Sequence, residues 1–260
     1  MSGLTERELR GAENRESQST NRESTSLASV AIGVADGSLT FGLSWVGDGG
    51  PVSWKPVHVD SVHAETPASN KAIALAASFD LGTLRCRVHA NVTLGLLVLA
   101  AFNRFAPATG RTNVASRTFF YPIDSSGGGD AGSGDARRTP VVMTRTFPAV
   151  DPSPLAGNWI NTNRMSTGVV RYAITVRGGQ VTVRAVMADG RDLGEATADL
   201  YAKDGEPPEP LLFLTTFDAG DREVEIQARL NLGLLVVVYF SRMKDAGQSN
   251  WYIREFYRKV

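Results

Sequence analysis

Leu94-Gly95-Leu96-Leu97-Val98 and Leu232-Gly233-Leu234-Leu235-Val236 are one phrase written twice. Each follows a second shared phrase at equal spacing, Phe79-Asp80-Leu81-Gly82 in one case and Phe217-Asp218-Ala219-Gly220 in the other. Two matches held in register mark an internal duplication. The register extends outward. Thr20-Asn21-Arg22-Glu23-Ser24-Thr25 answers Thr162-Asn163-Arg164-Met165-Ser166-Thr167, and Asn113, Arg117, Phe119 and Phe120 answer Asn250, Arg254, Phe256 and Tyr257.

Within each copy the apolar residues recur at every second position. Val170, Tyr172, Ile174 and Val176 alternate with Arg171, Ala173, Thr175 and Arg177, and Gly178-Gly179 then supplies a tight hairpin turn before Val181, Val183 and Ala185. Val224, Ile226, Ala228 and Leu230 alternate with Glu225, Gln227 and Arg229; the first copy answers with Leu84, Cys86, Val88 and Ala90. About eight such segments fit into each copy, and no amphipathic helix of useful length interrupts them. The reading is all-β: two tandem antiparallel up-and-down barrels of about eight strands each, every copy closing on itself to remove its edges.

The boundary is Asp124-Ser125-Ser126-Gly127-Gly128-Gly129-Asp130-Ala131-Gly132-Ser133-Gly134-Asp135, which cannot bury apolar surface and reads as a tether. The expected organisation is a disordered tail over 1–20, a first barrel over 21–122, a Gly/Ser/Pro-rich linker over 123–153 and a second barrel over 154–260. The two barrels are expected to pack on each other, as a tethered pair that replaces a homodimer.

Bulk properties narrow the function classes. With 27 basic and 27 acidic residues in 260, no global positive field exists to hold a nucleic acid or an anionic membrane, so neither is an expected partner. The runs from Leu94 to Phe102 and from Leu232 to Phe240 are about half the length a membrane helix needs and read as buried strands. A charged start, Met1-Ser2-Gly3-Leu4-Thr5-Glu6-Arg7, lacks the apolar stretch of a secretion signal, and the expected location is the cytoplasm. The one cysteine, Cys86, cannot form an internal disulfide.

Gly157-Asn158-Trp159-Ile160-Asn161 opens the second copy just before its first strand. This Gly-x-Trp-x-Asn phrase resembles the opening of the lipocalin and avidin-like barrels. The resemblance implies that Trp159 closes the barrel base and that an Arg near the barrel's end lies across it; Arg254 is the residue placed to do so. In the Thr-Asn-Arg register Trp159 corresponds to Ser17 and Gly157 to Arg15. The first copy therefore lacks the base tryptophan while keeping Arg117, and either that copy is degenerate or its base is sealed differently, with Trp45 and Trp54 as candidates.

The sequence names no catalytic residue and leaves open whether the protein is an enzyme; no cofactor or metal site is expected. His58 and His63, five apart on a strand, face opposite sides, so with His89 they cannot assemble a zinc site. Cys86 reads as a small buried hydrophobe. Asp80 and Asp218 read as turn residues that accept backbone hydrogen bonds, and Asn21-Arg22 and Asn163-Arg164 as loop caps or as a polar pair facing a ligand. Three functions remain open. The first is the binding of a small hydrophobic molecule in a lumen walled by Tyr172, Ile174, Val183, Met187, Phe213 and Trp251. The others are a lipocalin-like cyclase or isomerase that encloses a reactive substrate, and a structural protein whose barrels are filled. A buried ionisable group without a partner favours the enzyme, open apolar volume the binder, and no volume the structural protein.

Overall fold

The computed structural model describes residues 7–11, 26–47, 50–66, 68–69, 71–93, 96–122, 151–203 and 212–260. Their regular structure is strand, apart from single 3-10 turns at Pro107–Thr109 and Ser153–Leu155. The first copy contributes β1 (Arg7–Gly11), β2 (Ser26–Ala35), β3 (Ser38–Gly47), β4 (Gly50–Ser53), β5 (Val57–Ala64), β6 (Ala72–Asp80), β7 (Leu84–Thr93), β8 (Leu96–Phe105) and β9 (Val114–Pro122). The second contributes β10 (Gly157–Asn161), β11 (Val169–Arg177), β12 (Gln180–Met187), β13 (Asp192–Lys203), β14 (Leu212–Asp218), β15 (Arg222–Asn231), β16 (Leu234–Met243) and β17 (Trp251–Lys259).

Hairpin follows hairpin through the second copy. β11 pairs with β12 around Gly178-Gly179 in the expected register, Val176 opposite Val181 and Ile174 opposite Val183. The ladders then run β12–β13–β14–β15–β16–β17, and β17 pairs with β10, which also pairs with β11. Followed strand by strand, the eight ladders return to their start. Alternation decides which side chains face inward. In β12 the pattern runs exposed and buried by turns, and Val181, Val183, Ala185 and Met187 join one core cluster with Tyr172, Ile174, Phe213, Ile226, Val237 and Tyr257.

The first copy repeats the plan. β1 pairs with both β2 and β9, as β10 does with β11 and β17, and the intervening strands are neighbours in chain order. Two expectations change. Arg7–Gly11 lies inside the expected tail yet forms a strand, while the rest of 1–20 and the tether from 123 to 150 lie outside the described residues. The register also moves: Leu9 stands opposite Val30 and Pro122, as Trp159 stands opposite Tyr172 and Lys259. The position equivalent to Trp159 is therefore Leu9, and not Ser17. Fourteen residues separate β1 from β2 but only seven separate β10 from β11, so the Thr-Asn-Arg match could not carry the register back to the first strand. Trp54 is buried against Phe79, ring centroids 5.2 Å apart, beside the Asp80 turn and so at the end opposite to the Leu9 position. The side chain of Trp45 lies outside the described residues.

The repeated Phe-Asp-x-Gly elements are turns, as read. Asp80 Oδ1 accepts from the Gly82 N–H at 3.0 Å and Asp218 Oδ1 from the Gly220 N–H at 2.8 Å.

By contact density the chain forms two compact units that do not coincide with the two copies. One comprises Met1–Val62, Lys71–Ala101 and Arg117–Thr146; the other comprises His63–Asn70, Phe102–Ser116 and Phe147–Val260. The second unit thus holds the whole second copy and two pieces of the first. Inside it, Val114 and Ala115 of β9 pair in parallel with Ala202 and Lys203 of β13, and Ala64 of β5 pairs in parallel with Trp251 of β17. Ala202 N–H donates to Asn113 O at 2.9 Å and Ala64 N–H to Asn250 O at 2.8 Å; because Asn113 and Asn250 are equivalent, one bond is made twice. The rings follow suit: Phe102 meets Tyr201, and its equivalent Phe240 meets His63, both edge to face with centroids 5.1 Å apart. The expectation that the two copies form separate sheets does not hold, since residues at strand ends of one copy pair in parallel with those of the other.

No helix among the described residues is long and apolar enough to cross a membrane. Leu96–Phe105 and Leu234–Met243 are strands buried on both faces, which explains their unbroken apolar runs.

Candidate functional site

β17 decides the chemistry of the second copy's interior. Its odd positions face in: Trp251, Glu255 and Tyr257 are buried while Arg254, Phe256 and Arg258 are exposed. A glutamate is thereby carried into the core, 4% exposed. Buried carboxylates are costly unless hydrogen-bonded, and here the donors converge on one oxygen. Tyr239 on β16 donates its hydroxyl to Glu255 Oε2 at 2.6 Å, and Asn161 at the end of β10 donates from Nδ2 at 2.7 Å. The Tyr257 hydroxyl lies 3.0 Å from the same Oε2 and 2.7 Å from Val169 O, so its single proton serves one of the two at a time. Asn161 also donates to Val169 O at 3.0 Å, which ties the cluster to the start of β11.

The other oxygen, Glu255 Oε1, is buried with no hydrogen-bond partner. The Tyr172 hydroxyl is likewise buried without a partner of good geometry, although Tyr257 lies close, their rings edge to face at 4.8 Å. Burial pushes the Tyr172, Tyr239 and Tyr257 phenols well above the usual tyrosine range, and the neighbouring Glu255 pushes in the same direction. At neutral pH the three are hydrogen donors. Gly168 makes room for the cluster: a Cβ there would lie 1.9 Å from the Tyr239 hydroxyl oxygen.

All six expected wall residues come together. Tyr172, Ile174, Val183, Met187, Phe213 and Trp251 belong to one cluster, none more than 8% exposed, and they pack on one another. The base is built differently from expectation. Trp159 is 2% exposed and donates its Nε1–H to Leu155 O at 2.9 Å, but the cation over its ring is Lys259 Nζ, 5.6 Å from the centroid. Gly157 admits the Lys259 stem, since a Cβ there would meet Lys259 Cε at 2.7 Å. Arg254 points outward and lies over Phe256 at 5.3 Å, as its equivalent Arg117 lies over Phe119 at 5.0 Å. The parity of β17 explains the correction: Lys259 shares the inward phase of Tyr257, and Arg254 does not.

The remaining candidates are structural. Asn163 Oδ1 accepts from Met165 N–H at 3.0 Å and so caps the loop, whereas Asn21 and Arg22 lie outside the described residues. Cys86 is buried, its thiol pushed up to about 12 by desolvation. Among the described residues no three His, Cys, Asp or Glu side chains gather in a way that could hold a metal ion. Sequence reasoning missed Glu255 and Tyr239, although the alternation of Trp251, Ile253, Glu255 and Tyr257 carried the signal.

The first copy shows what the fold itself requires. In repeat register Glu255 answers to Thr118, Tyr257 to Phe120 and Tyr239 to Ala101, and the hairpins place Val30 at the position of Tyr172. Val30, Ala101 and Phe120 are fully buried, and the same ladders form around them. The carboxylate and its tyrosines are thus an addition to the second copy.

The chain matches no known protein family, no curated protein and no solved structure.

Proposed function

We propose that the second copy is a closed, lipocalin-like barrel that binds one small, largely apolar molecule in its interior beside Glu255, and that the first copy is a structural partner. The observation behind this reading is Glu255 Oε1, a buried acceptor left open in a cluster that the first copy does without. A buried polar atom without a partner is unfavourable, and the first copy builds the same ladders with Thr118, Ala101, Val30 and Phe120 at the equivalent positions. The aromatic walls supply the apolar contact such a ligand needs, and few polar groups fix its orientation.

Titration of the full chain with a neutral hydrophobic fluorophore tests this. Saturable binding weakened at least about tenfold by Tyr172→Ala, a loss of about 1.4 kcal/mol, and unchanged by the surface control Val34→Ala, supports the reading. Absence of saturable binding returns both copies to the filled, structural role.

The same two atoms favour a second reading. Glu255 Oε1 and the Tyr172 hydroxyl, both buried without a hydrogen-bond partner, would serve as base and acid for proton transfer on an enclosed substrate, as in a cyclase or isomerase. A co-purified ligand that remains chemically unchanged on prolonged incubation with the protein argues against it.

A further inference from the structure

The open carboxylate also points to the chemistry of what binds there. We infer that the molecule held beside Glu255 carries an organic ammonium group; this rests on the reading of the second copy as a binding barrel. Buried charges are paired, yet the groups gathered on Glu255 Oε2 are two phenols and a carboxamide. Among the described residues no Lys, Arg or His forms an ion pair with this carboxylate. Three cations of the same copy are engaged elsewhere. Lys259 lies over Trp159 and donates to Pro154 O at 3.3 Å; Arg222 pairs with Asp221 at 3.1 Å and lies over Trp251; Arg254 faces out over Phe256.

Among the described residues the carboxylate has no cationic partner, and a ligand ammonium would be that partner. The walls suit one: Tyr172 packs edge to face on Tyr257 and Tyr239 on Trp251, and an ammonium that meets an aromatic face gains cation–π attraction beyond its pairing with the carboxylate. A ligand carboxylate would bring no donor to Oε1, and a neutral hydroxyl would bring one donor without a charge, whereas an ammonium brings both. With Thr118, Val30 and Ala101 at the equivalent positions, the first copy offers no second site, so one ammonium binds per chain.

Isothermal titration of the full chain at pH 7 with benzylamine, benzyl alcohol and benzoate, three probes of nearly one shape, tests the inference. Benzylamine is expected to bind one to one, at least about tenfold more tightly than the other two. Glu255→Gln, checked by thermal melting for a retained fold, is expected to abolish that preference, and Thr118→Ala in the first copy to leave it intact. Benzyl alcohol or benzoate binding as tightly as benzylamine overturns the inference, as does a preference that survives Glu255→Gln. If none of the three binds while the neutral fluorophore still saturates, the ammonium is wrong and the binding barrel stands. If the fluorophore fails as well, both fall.

Discussion

Tyr239 reaches Glu255 Oε2 at 2.6 Å only because residue 168 has no side chain, its would-be Cβ lying 1.9 Å from the hydroxyl oxygen. Gly168→Ala must therefore displace the donor and is expected to cost about 1–3 kcal/mol, as overpacking does. Tyr239→Phe is expected to cost about as much, by leaving the buried carboxylate one donor short. The two changes meet at one atom. The double variant should cost clearly less than the sum, and strictly additive losses in denaturant unfolding would show that the two residues do not interact.

Trp159→Ala, which removes a buried indole and its bond to Leu155 O, is expected to destabilise by about 3–5 kcal/mol. Arg254→Ala is expected to cost within about 0.5 kcal/mol, as surface changes do. Equal shifts in melting temperature for the two would show that Arg254 contributes to the fold as much as Trp159 does.

Much of this architecture was legible in the residues, and what escaped did so for physical reasons. The β11–β12 hairpin was readable because alternation and Gly178-Gly179 are local signals, and the Asp80 and Asp218 turns because an Asx bond spans two residues. That Tyr172, Ile174, Val183, Met187, Phe213 and Trp251 share one buried cluster followed from parity alone. Parity applied to β17 would also have turned Arg254 outward and Glu255 and Lys259 inward; the family resemblance drew attention to the arginine instead. The equivalence of Leu9 with Trp159 was hidden behind a longer connection in the first copy. The parallel bridges at Ala64 and Ala202 depend on which strand ends meet in space, and no local pattern encodes that.

Cys86 is expected to be inert in the folded protein. Its thiol is pushed up to about 12 by burial, so almost no thiolate exists at pH 8. A thiol-specific chromogenic reagent should label it only in denaturant. Rapid labelling of native protein would place Cys86 on an accessible surface.

Acid should weaken the fold through a set of exposed aspartates. A side-chain bond from Arg184 holds Asp192 below its ordinary value of 3.8, and one from Lys244 does the same for Asp218, with backbone N–H groups of Gly194 and Gly220 adding to each. A carboxyl whose pKa is depressed on folding stabilises the native state above its unfolded value, and that contribution fades as pH falls through the folded one. Stability is thus expected to drop as pH falls past about 3.8 and below. Asp192→Asn and Asp218→Asn should flatten that part of the curve, and melts that fall equally steeply in both variants would assign the loss to other groups.

The central claim is that the buried Glu255 cluster is a ligand site, and native mass spectrometry of the full chain purified from its own source tests it most directly. Wild-type protein should carry one small molecule per chain, and that added mass should be absent from Glu255→Gln. Wild-type protein at its bare mass under conditions gentle enough to keep weak complexes, or an adduct undiminished in Glu255→Gln, would contradict the account.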